Sequence, residues 1–143
     1  MIAFEDFKKK FLDKLENSAG RGTYEMLRGK TMELWLSKSG DGIENSCFKH
    51  NCLFSELYSI YKKAIELGGK MYLGATAAQG GKRIGSEDFS VDTIDAFVSM
   101  NFYGKTIGDT ATRMSTYYAA ILAWGGFARN CWGGYIVITP NYR

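Results

Sequence analysis

Paired glycines are the feature that most limits how this chain can fold, because three of the four pairs are expected to end a helix or turn the backbone. The chain contains 17 glycines and one proline, Pro140. Gly68-Gly69 and Gly125-Gly126 each follow an apolar helical pattern, so each pair predicts the C-terminal end of a helix. Gly133-Gly134 precedes the β-rich run from Tyr135 to Ile138 and predicts a tight hairpin turn. The elements between these pairs are therefore expected to be short.

The first 68 residues predict a helix, a β-hairpin and a second helix. Apolar residues spaced three and four apart indicate an amphipathic helix that ends before Gly20: Phe4, Phe7, Phe11, Leu12 and Leu15. From Thr31 to Ser37 the period changes to two, with Met32, Leu34 and Leu36 on one face. Ser39-Gly40-Asp41-Gly42 predicts a turn, and residues 43–48 a partner strand. The second helix carries an apolar stripe from Phe54 to Ile65. We interpret residues 1–68 as a support or dimerisation region.

The remainder of the chain predicts a linker followed by a second folded region. Residues 69–85 are rich in glycine and predict an irregular linker or loop. In residues 86–143, Ser90 is the expected N-cap of a helix whose apolar face includes Ile94 and Val98. Helices and hairpins in this order predict an α+β fold.

Composition excludes several classes of protein. A share of 45% hydrophobic residues over 143 positions is typical of a packed chain of one domain or two small ones. No apolar run approaches the roughly 18 to 20 residues that a membrane span requires, and the N-terminus lacks the apolar core of a secretory signal. Three cysteines are too few for a disulfide framework, which favours the cytoplasm.

The last 40 residues carry the most informative pattern. Asp109 or Thr110 is expected to cap a helix that runs to about Trp124. Gly125-Gly126, a short strand, the turn at Gly133-Gly134 and an apolar strand then follow in order. The stretches 118–130 and 132–137 resemble the end of a winged helix-turn-helix domain, and the similarity covers roughly residues 90–138.

The resemblance implies that the helix beginning near Thr110 is a recognition element that reads double-stranded DNA with its N-terminal residues. The implied DNA-contacting residues of this segment are Thr110, Thr112, Arg113, Ser115 and Thr116. Arg113 is the strongest candidate, because its planar fork can hold a guanine or a phosphate through two hydrogen bonds. Lys105, Arg129 and Trp132 at the wing are expected to flank the DNA backbone.

The distribution of charge agrees with a basic C-terminal end. Residues 1–96 hold 14 basic and 14 acidic side chains, whereas residues 97–143 hold four basic side chains and one acidic side chain. The formal net charge of +3 therefore belongs entirely to the last third of the chain. Because Lys and Arg side chains attract the phosphates of nucleic acid, this basic end agrees with the DNA contacts that the resemblance implies.

Two other clusters of residues suggest ligand sites. Lys82 and Arg83 lie in the glycine-rich segment 80–86, whose backbone N–H donors and cations suit the binding of phosphates. The alternative interpretation is a solvated loop without a ligand. Cys47, His50 and Cys52 form a C-x2-H-x-C cluster, which with the distant Cys131 supplies four potential zinc ligands. The spacing is unusual for structural zinc, and two core cysteines with a surface histidine explain it more simply. No metal or cofactor is therefore expected.

The sequence favours a non-enzymatic DNA-binding protein, since no catalytic motif is present. We expect double-stranded DNA as the partner, a homodimer as a possible assembly, and no membrane partner. The alternative hypothesis is a small module that binds a phosphorylated nucleotide through Lys82, Arg83 and Arg113, or a protein-binding inhibitor or regulator. A further possibility is the specificity part of a larger DNA-processing system.

Overall fold

The structure, a computed structural model, describes residues 1–143 and has the predicted α+β fold, with five α-helices and two antiparallel sheets. The helices are α1 (Phe4–Asn17), α2 (Phe54–Glu66), α3 (Ala75–Gln79), α4 (Ile94–Phe102) and α5 (Ser115–Trp124). The strands are β1 (Arg21–Glu25), β2 (Thr31–Leu36), β3 (Gly42–Asn45), β4 (Cys52–Leu53), β5 (Lys70–Tyr72), β6 (Ala128–Cys131) and β7 (Tyr135–Ile138). None of the helices combines the length and the apolar character needed to cross a bilayer.

The first sheet has the strand order β1-β2-β3-β4 and includes the predicted hairpin of β2 and β3. Met32 and Leu34 are buried as their alternation predicts, whereas Leu36 at the end of the strand is 38% exposed. Strand β3 ends at Asn45 and not near Phe48. The reason is local, because the Asn45 side-chain oxygen accepts hydrogen bonds from the backbone N–H groups of Cys47 and Phe48.

One carboxylate organises the turn between β2 and β3. Asp41 Oδ1 accepts hydrogen bonds from the hydroxyls of Ser39 and Ser37, at 2.6 and 2.9 Å, and from the Asn51 side-chain amide at 2.9 Å. These donors, with Ser39 as the strongest, lower the pKa of Asp41 to about 2. The turn is thus tied to the segment that leads into β4.

The second sheet has the order β5-β7-β6 and shows that residues 69–85 are not simply a linker or loop. Strand β5 pairs with β7, with Met71 opposite Ile136, and both of these side chains are buried. Residues 75–79 then form α3. The prediction of an irregular segment is wrong at residues 70–79, because the pairing partner of β5 lies more than 60 residues away in sequence.

Helices α4 and α5 both begin later than the sequence predicts. Thr93, not Ser90, is the N-cap of α4 and accepts a hydrogen bond from the Ala96 N–H. Helix α5 starts at Ser115 and not at residue 109 or 110, because its cap is the Asp95 side chain from α4. Asp95 Oδ1 accepts from the N–H groups of Met114 and Ser115 at 2.7 and 2.8 Å, and Oδ2 accepts from the Ser115 hydroxyl at 2.6 Å.

Helix α5 contributes six residues to a continuous hydrophobic core of 28 buried residues that come from both halves of the chain. Phe11 of α1 stacks against Trp124 at the end of α5, with 6.4 Å between ring centroids. Gly22 of β1 lies so close to the Trp124 indole that a Cβ atom there would overlap it. A Cβ atom at Gly125 would likewise overlap the Phe11 ring. Both glycines are needed because the backbone approaches an aromatic ring closely.

Replacing Asp95 by Ala is expected to lower the free energy of unfolding by about 3 kcal/mol or more, because three buried donors lose their acceptor and each such loss costs roughly 1–3 kcal/mol. Urea denaturation followed by circular dichroism measures this loss. The control is Asp88→Ala, which removes only an exposed ion pair with Lys82 and should change stability by less than about 1 kcal/mol. Equal effects of the two substitutions would contradict the capping role of Asp95.

The pKa of Asp41 should be about 2 when titrated by NMR at its carboxyl carbon. Because this pKa is lower in the folded protein than in the unfolded chain, the stabilisation is present above the ordinary aspartate pKa and is lost as the pH falls through 2. Ser39→Ala removes the strongest donor and should raise the pKa of Asp41 towards its usual value. If Ser39→Ala left the pKa of Asp41 unchanged, the Ser39 hydroxyl would not be the donor that lowers it.

Candidate nucleic-acid interface

A cleft of about 450 Å³ opens at the N-terminal end of α5. Its walls are the β1–β2 turn, the start of α3, the first turn of α5 and the β6–β7 turn. Three cationic residues line it: Arg28, Lys30 and Arg113. Tyr117 and Trp132 add aromatic surface, and no carboxylate residue is part of the lining. The cleft therefore combines positive charge with aromatic rings.

The β1–β2 turn presents two of these cations because its own backbone geometry is tight. The Met26 N–H donates to the Lys30 carbonyl at 2.9 Å, and the Gly29 N–H donates to the Met26 carbonyl at 2.8 Å. Gly29 has a φ of 88°, a conformation that glycine adopts without strain. Met26 is buried in the core, whereas Arg28 and Lys30 are exposed. The turn is thus anchored by its first residue and extends its two cations into solvent.

Arg113 is held in place by neutral groups. Its Nη1 donates to the Gln79 side-chain oxygen at the end of α3, and its Nη2 lies 3.4 Å from the Thr116 hydroxyl. Arg113 makes no ion pair, and neither do Arg28 and Lys30. All three cationic residues therefore line the cleft without an ion-pair partner.

The β6–β7 turn places an unusually exposed tryptophan beside these cations. The Trp132 side chain is 67% exposed. Gly133 and Gly134, with φ values of 102° and 77°, form the rest of the turn. A tryptophan ring combines a large apolar area with a polar N–H group, and this combination is enriched at binding interfaces.

The structure brings together only some of the residues that the resemblance implied. Arg113, Thr116 and Trp132 line the cleft. Ser115 is fully buried against Asp95, so its prediction as a contact residue is wrong. The remaining implied residues are exposed but do not line the cleft: Lys105, Thr110, Thr112 and Arg129.

The prediction of a recognition helix that begins near Thr110 is also wrong in its start, since residues 110–114 precede α5. Tyr118, Ala119, Ala120, Ile121 and Leu122 are all fully buried within α5. Most of the helix is therefore covered by protein on every side. Only its first turn, at Thr116 and Tyr117, reaches the cleft.

Sequence reasoning missed Arg28, Lys30 and Tyr117. The first two lie between the predicted first helix and the predicted hairpin, in a stretch with no apolar period. Their proximity to Arg113 results from the packing of β1 against Trp124, a contact across about a hundred residues of sequence. The only local indication in the sequence is that Arg28 and Lys30 flank Gly29.

The glycine-rich segment 80–86 uses its cations within the protein. The Arg83 Nη1 donates to the Gly108 carbonyl at 2.9 Å, and Arg83 forms an isolated β-bridge with Thr110. Lys82 lies 3.7 Å from the Asp88 carboxylate. Ile84 is buried in a small apolar cluster with Phe89. This segment therefore packs against residues 108–110 and lies outside the cleft.

The C-x2-H-x-C residues also have other partners. No group of three or more His, Cys, Asp or Glu side chains is arranged to hold a metal ion. Cys52 is buried in β4, where burial raises the pKa of its thiol. His50 Nε2 lies 2.9 Å from the Tyr118 hydroxyl and 3.0 Å from the Tyr103 hydroxyl. Cys47 is partly buried beside the core.

A buried carboxylate completes this histidine and tyrosine network. The Tyr103 hydroxyl donates to Glu56 Oε2 at 2.7 Å, and the Leu53 N–H donates to Glu56 Oε1 at 2.9 Å. Burial, together with the hydrogen bond to Glu56, raises the pKa of Tyr103 to about 12. Because Glu56 belongs to α2 whereas Tyr103 follows α4, the network joins the two halves of the chain.

Comparison of the chain with protein-family models, with curated proteins and with solved structures finds no match.

Tyr103→Phe should lower the free energy of unfolding by about 1–3 kcal/mol, because the buried Glu56 carboxylate loses a hydrogen-bond donor. Tyr135→Phe is a matched control, since it removes a hydroxyl that makes no side-chain hydrogen bond to the protein. Urea denaturation at neutral pH compares the two. A stability of Tyr103→Phe equal to that of the control would show that the network does not stabilise the fold.

Proposed function

We propose that this protein is a non-enzymatic DNA-binding protein that holds double-stranded DNA at the cationic cleft. The observation that carries the proposal is the convergence of Arg28, Lys30 and Arg113, all without ion-pair partners, in a cleft with no carboxylate residue. Duplex DNA carries about one negative charge per 1.7 Å of its axis, so a surface of this kind gains affinity by displacing counterions. The exposed Trp132 lies at the edge of the same surface.

The order of elements supports a winged-helix-like region within residues 86–143. Helix α4 is followed by α5, β6, a glycine turn and β7, and the last two strands pair antiparallel. The turn between β6 and β7 corresponds to the wing that the resemblance implies. In this proposal the wing and the β1–β2 turn contact the DNA from opposite sides of the cleft.

The burial of α5 determines which residues can contact DNA. Because most of the helix is covered, the contacts come from its first turn and from the surrounding turns. Gln79 and Thr116 orient the Arg113 guanidinium, which suits a bidentate contact to a phosphate or a guanine. Arg28 and Lys30 are free to reach neighbouring phosphates. Binding is therefore expected to depend strongly on salt.

A phosphorylated nucleotide is a second candidate ligand, and the volume of the cleft favours it. About 450 Å³ falls within the range of roughly 300–1,000 Å³ found for small-molecule sites. Tyr117 and Trp132 offer rings for a base, and the three cations offer partners for phosphates. A rise in melting temperature with nucleotides but none with duplex DNA would favour this alternative over DNA binding.

We further propose a cytoplasmic location. All three cysteines are free in the folded chain, and free thiols suit a reducing compartment.

Arg113→Ala should weaken binding to a short duplex about fivefold or more, and Arg28→Ala or Lys30→Ala should each reduce the salt slope by about one. Fluorescence anisotropy between about 50 and 200 mM NaCl measures both quantities. Lys38→Ala, which removes an exposed cation from the β2–β3 turn, is the control and should leave the slope unchanged. If all four variants had the same salt slope, the assignment of DNA binding to the cleft would be overturned.

A further inference from the structure

The second sheet has one face in the core and one face open to solvent. Strand alternation places Met71, Ile136, Ile138 and Ala128 on the buried face. The open face carries the intervening residues of the three strands: Lys70, Tyr72, Arg129, Cys131, Tyr135 and Val137. The register arranges them in two rows across the strands. Lys70, Val137 and Arg129 form one row, and Tyr72, Tyr135 and Cys131 form the next.

The two tyrosines and the lysine of this face form one compact group. The rings of Tyr72 and Tyr135 lie 5.6 Å apart between centroids. Lys70 Nζ lies 4.1 Å from the centre of the Tyr135 ring and 4.8 Å from that of the Tyr72 ring. Tyr72 is 52% exposed, so a large part of its ring remains in contact with water.

The aromatic surface continues across β6. A shallow groove lined by Tyr24, Arg129, Cys131, Trp132 and Tyr135 runs from the sheet to β1. We refer to Lys70, Tyr72, Arg129 and Tyr135 as the tyrosine face. Trp132 lines this groove and also the cationic cleft on the other side of the wing. Asn130 and Cys131 also line both, so the two surfaces meet along residues 130–132.

The charge of the tyrosine face identifies the kind of partner. Strands β5, β6 and β7 contain no Asp or Glu, and neither Lys70 nor Arg129 makes an ion pair. The rings and the cations, which make no ion pair, match a strand whose bases are unpaired. Each base can stack on a ring when the Lys70 ammonium, which lies over both rings, moves to a phosphate. A duplex would not use the rings, because its bases are already stacked on each other.

We propose that the tyrosine face binds an unpaired DNA strand, with bases stacked on Tyr72 and Tyr135 and with Lys70 and Arg129 at the phosphates. This site is separate from the cleft to which duplex binding is assigned. Since Trp132 borders both surfaces, one DNA molecule with a duplex and a single-stranded extension can occupy the two at once.

The test is anisotropy of a labelled thymidine oligonucleotide of about 15 residues, a length that exceeds most single-strand site sizes. Tyr72→Ala and Tyr135→Ala should each weaken binding roughly fivefold to a hundredfold, the range for loss of one stacked base. Tyr72→Phe and Tyr135→Phe keep the rings and should bind as the unsubstituted protein does. Lys70→Ala should weaken binding, whereas Lys38→Ala, which removes an exposed cation from the β2–β3 turn of the other sheet, should not.

A matched oligonucleotide without bases separates stacking from charge. It should bind more weakly than the thymidine strand, and its affinity should not change with Tyr72→Ala. The short duplex supplies the other arm, since Arg113→Ala should weaken its binding while Tyr72→Ala should not. Loss of the duplex effect alone would count against the cleft, and loss of the strand effect alone would count against the tyrosine face.

Three results would overturn this proposal. The first is unchanged thymidine-strand binding by the Tyr→Ala variants, with their folding confirmed by thermal unfolding. The second is equal affinity for the strand without bases. The third is the detection by sedimentation of a dimer that binds no single strand and that Tyr135→Ala dissociates. In that case the tyrosine face would contact a second copy of the chain.

Discussion

Helix α5 is apolar on nearly all sides, and the close packing of α1, β1 and β6 around it follows from the need to cover it. A helix of this kind is unstable on a surface, so it must be enclosed by the rest of the domain. Helix α1 and strand β1 cover Trp124, with Gly22 and Gly125 permitting the close approach. The first N–H groups of a buried helix also need acceptors, and the Asp95 carboxylate provides them. The enclosure therefore joins the two halves of the chain through one core.

The same enclosure determines where a ligand can bind. Because the sides of α5 are covered, its accessible part is the first turn, at Thr116 and Tyr117. The β1–β2 turn reaches this end because β1 packs on Trp124, and it brings Arg28 and Lys30 towards Arg113. Neither half of the chain contains the complete cleft. The N-terminal region, interpreted from sequence as a support, thus contributes two of the three cations of the proposed site.

The sequence predicts elements whose stability is local and misses those that depend on distant partners. Periodic apolar residues identify α1 and α2, and the glycine pairs identify where α2 and α5 end. Strand β1 has the sequence Arg-Gly-Thr-Tyr-Glu, which shows no clear alternation, because its small Gly22 is selected by contact with Trp124. The start of α5 depends on Asp95, about 20 residues earlier. The cleft likewise depends on packing between segments that are distant in sequence, so only Arg113, Thr116 and Trp132 could be predicted.

We propose that duplex DNA binds in the cleft at the N-terminal end of α5, which both halves of the chain build. The most direct measurement is an NMR titration of the ¹⁵N-labelled protein with a short duplex. We predict that the amide shifts concentrate in three separate segments: residues 27–30, 113–117 and 130–134. Shifts confined to the lysine-rich surface of α1, or restricted to residues after 86 with none in the β1–β2 turn, would contradict the claim.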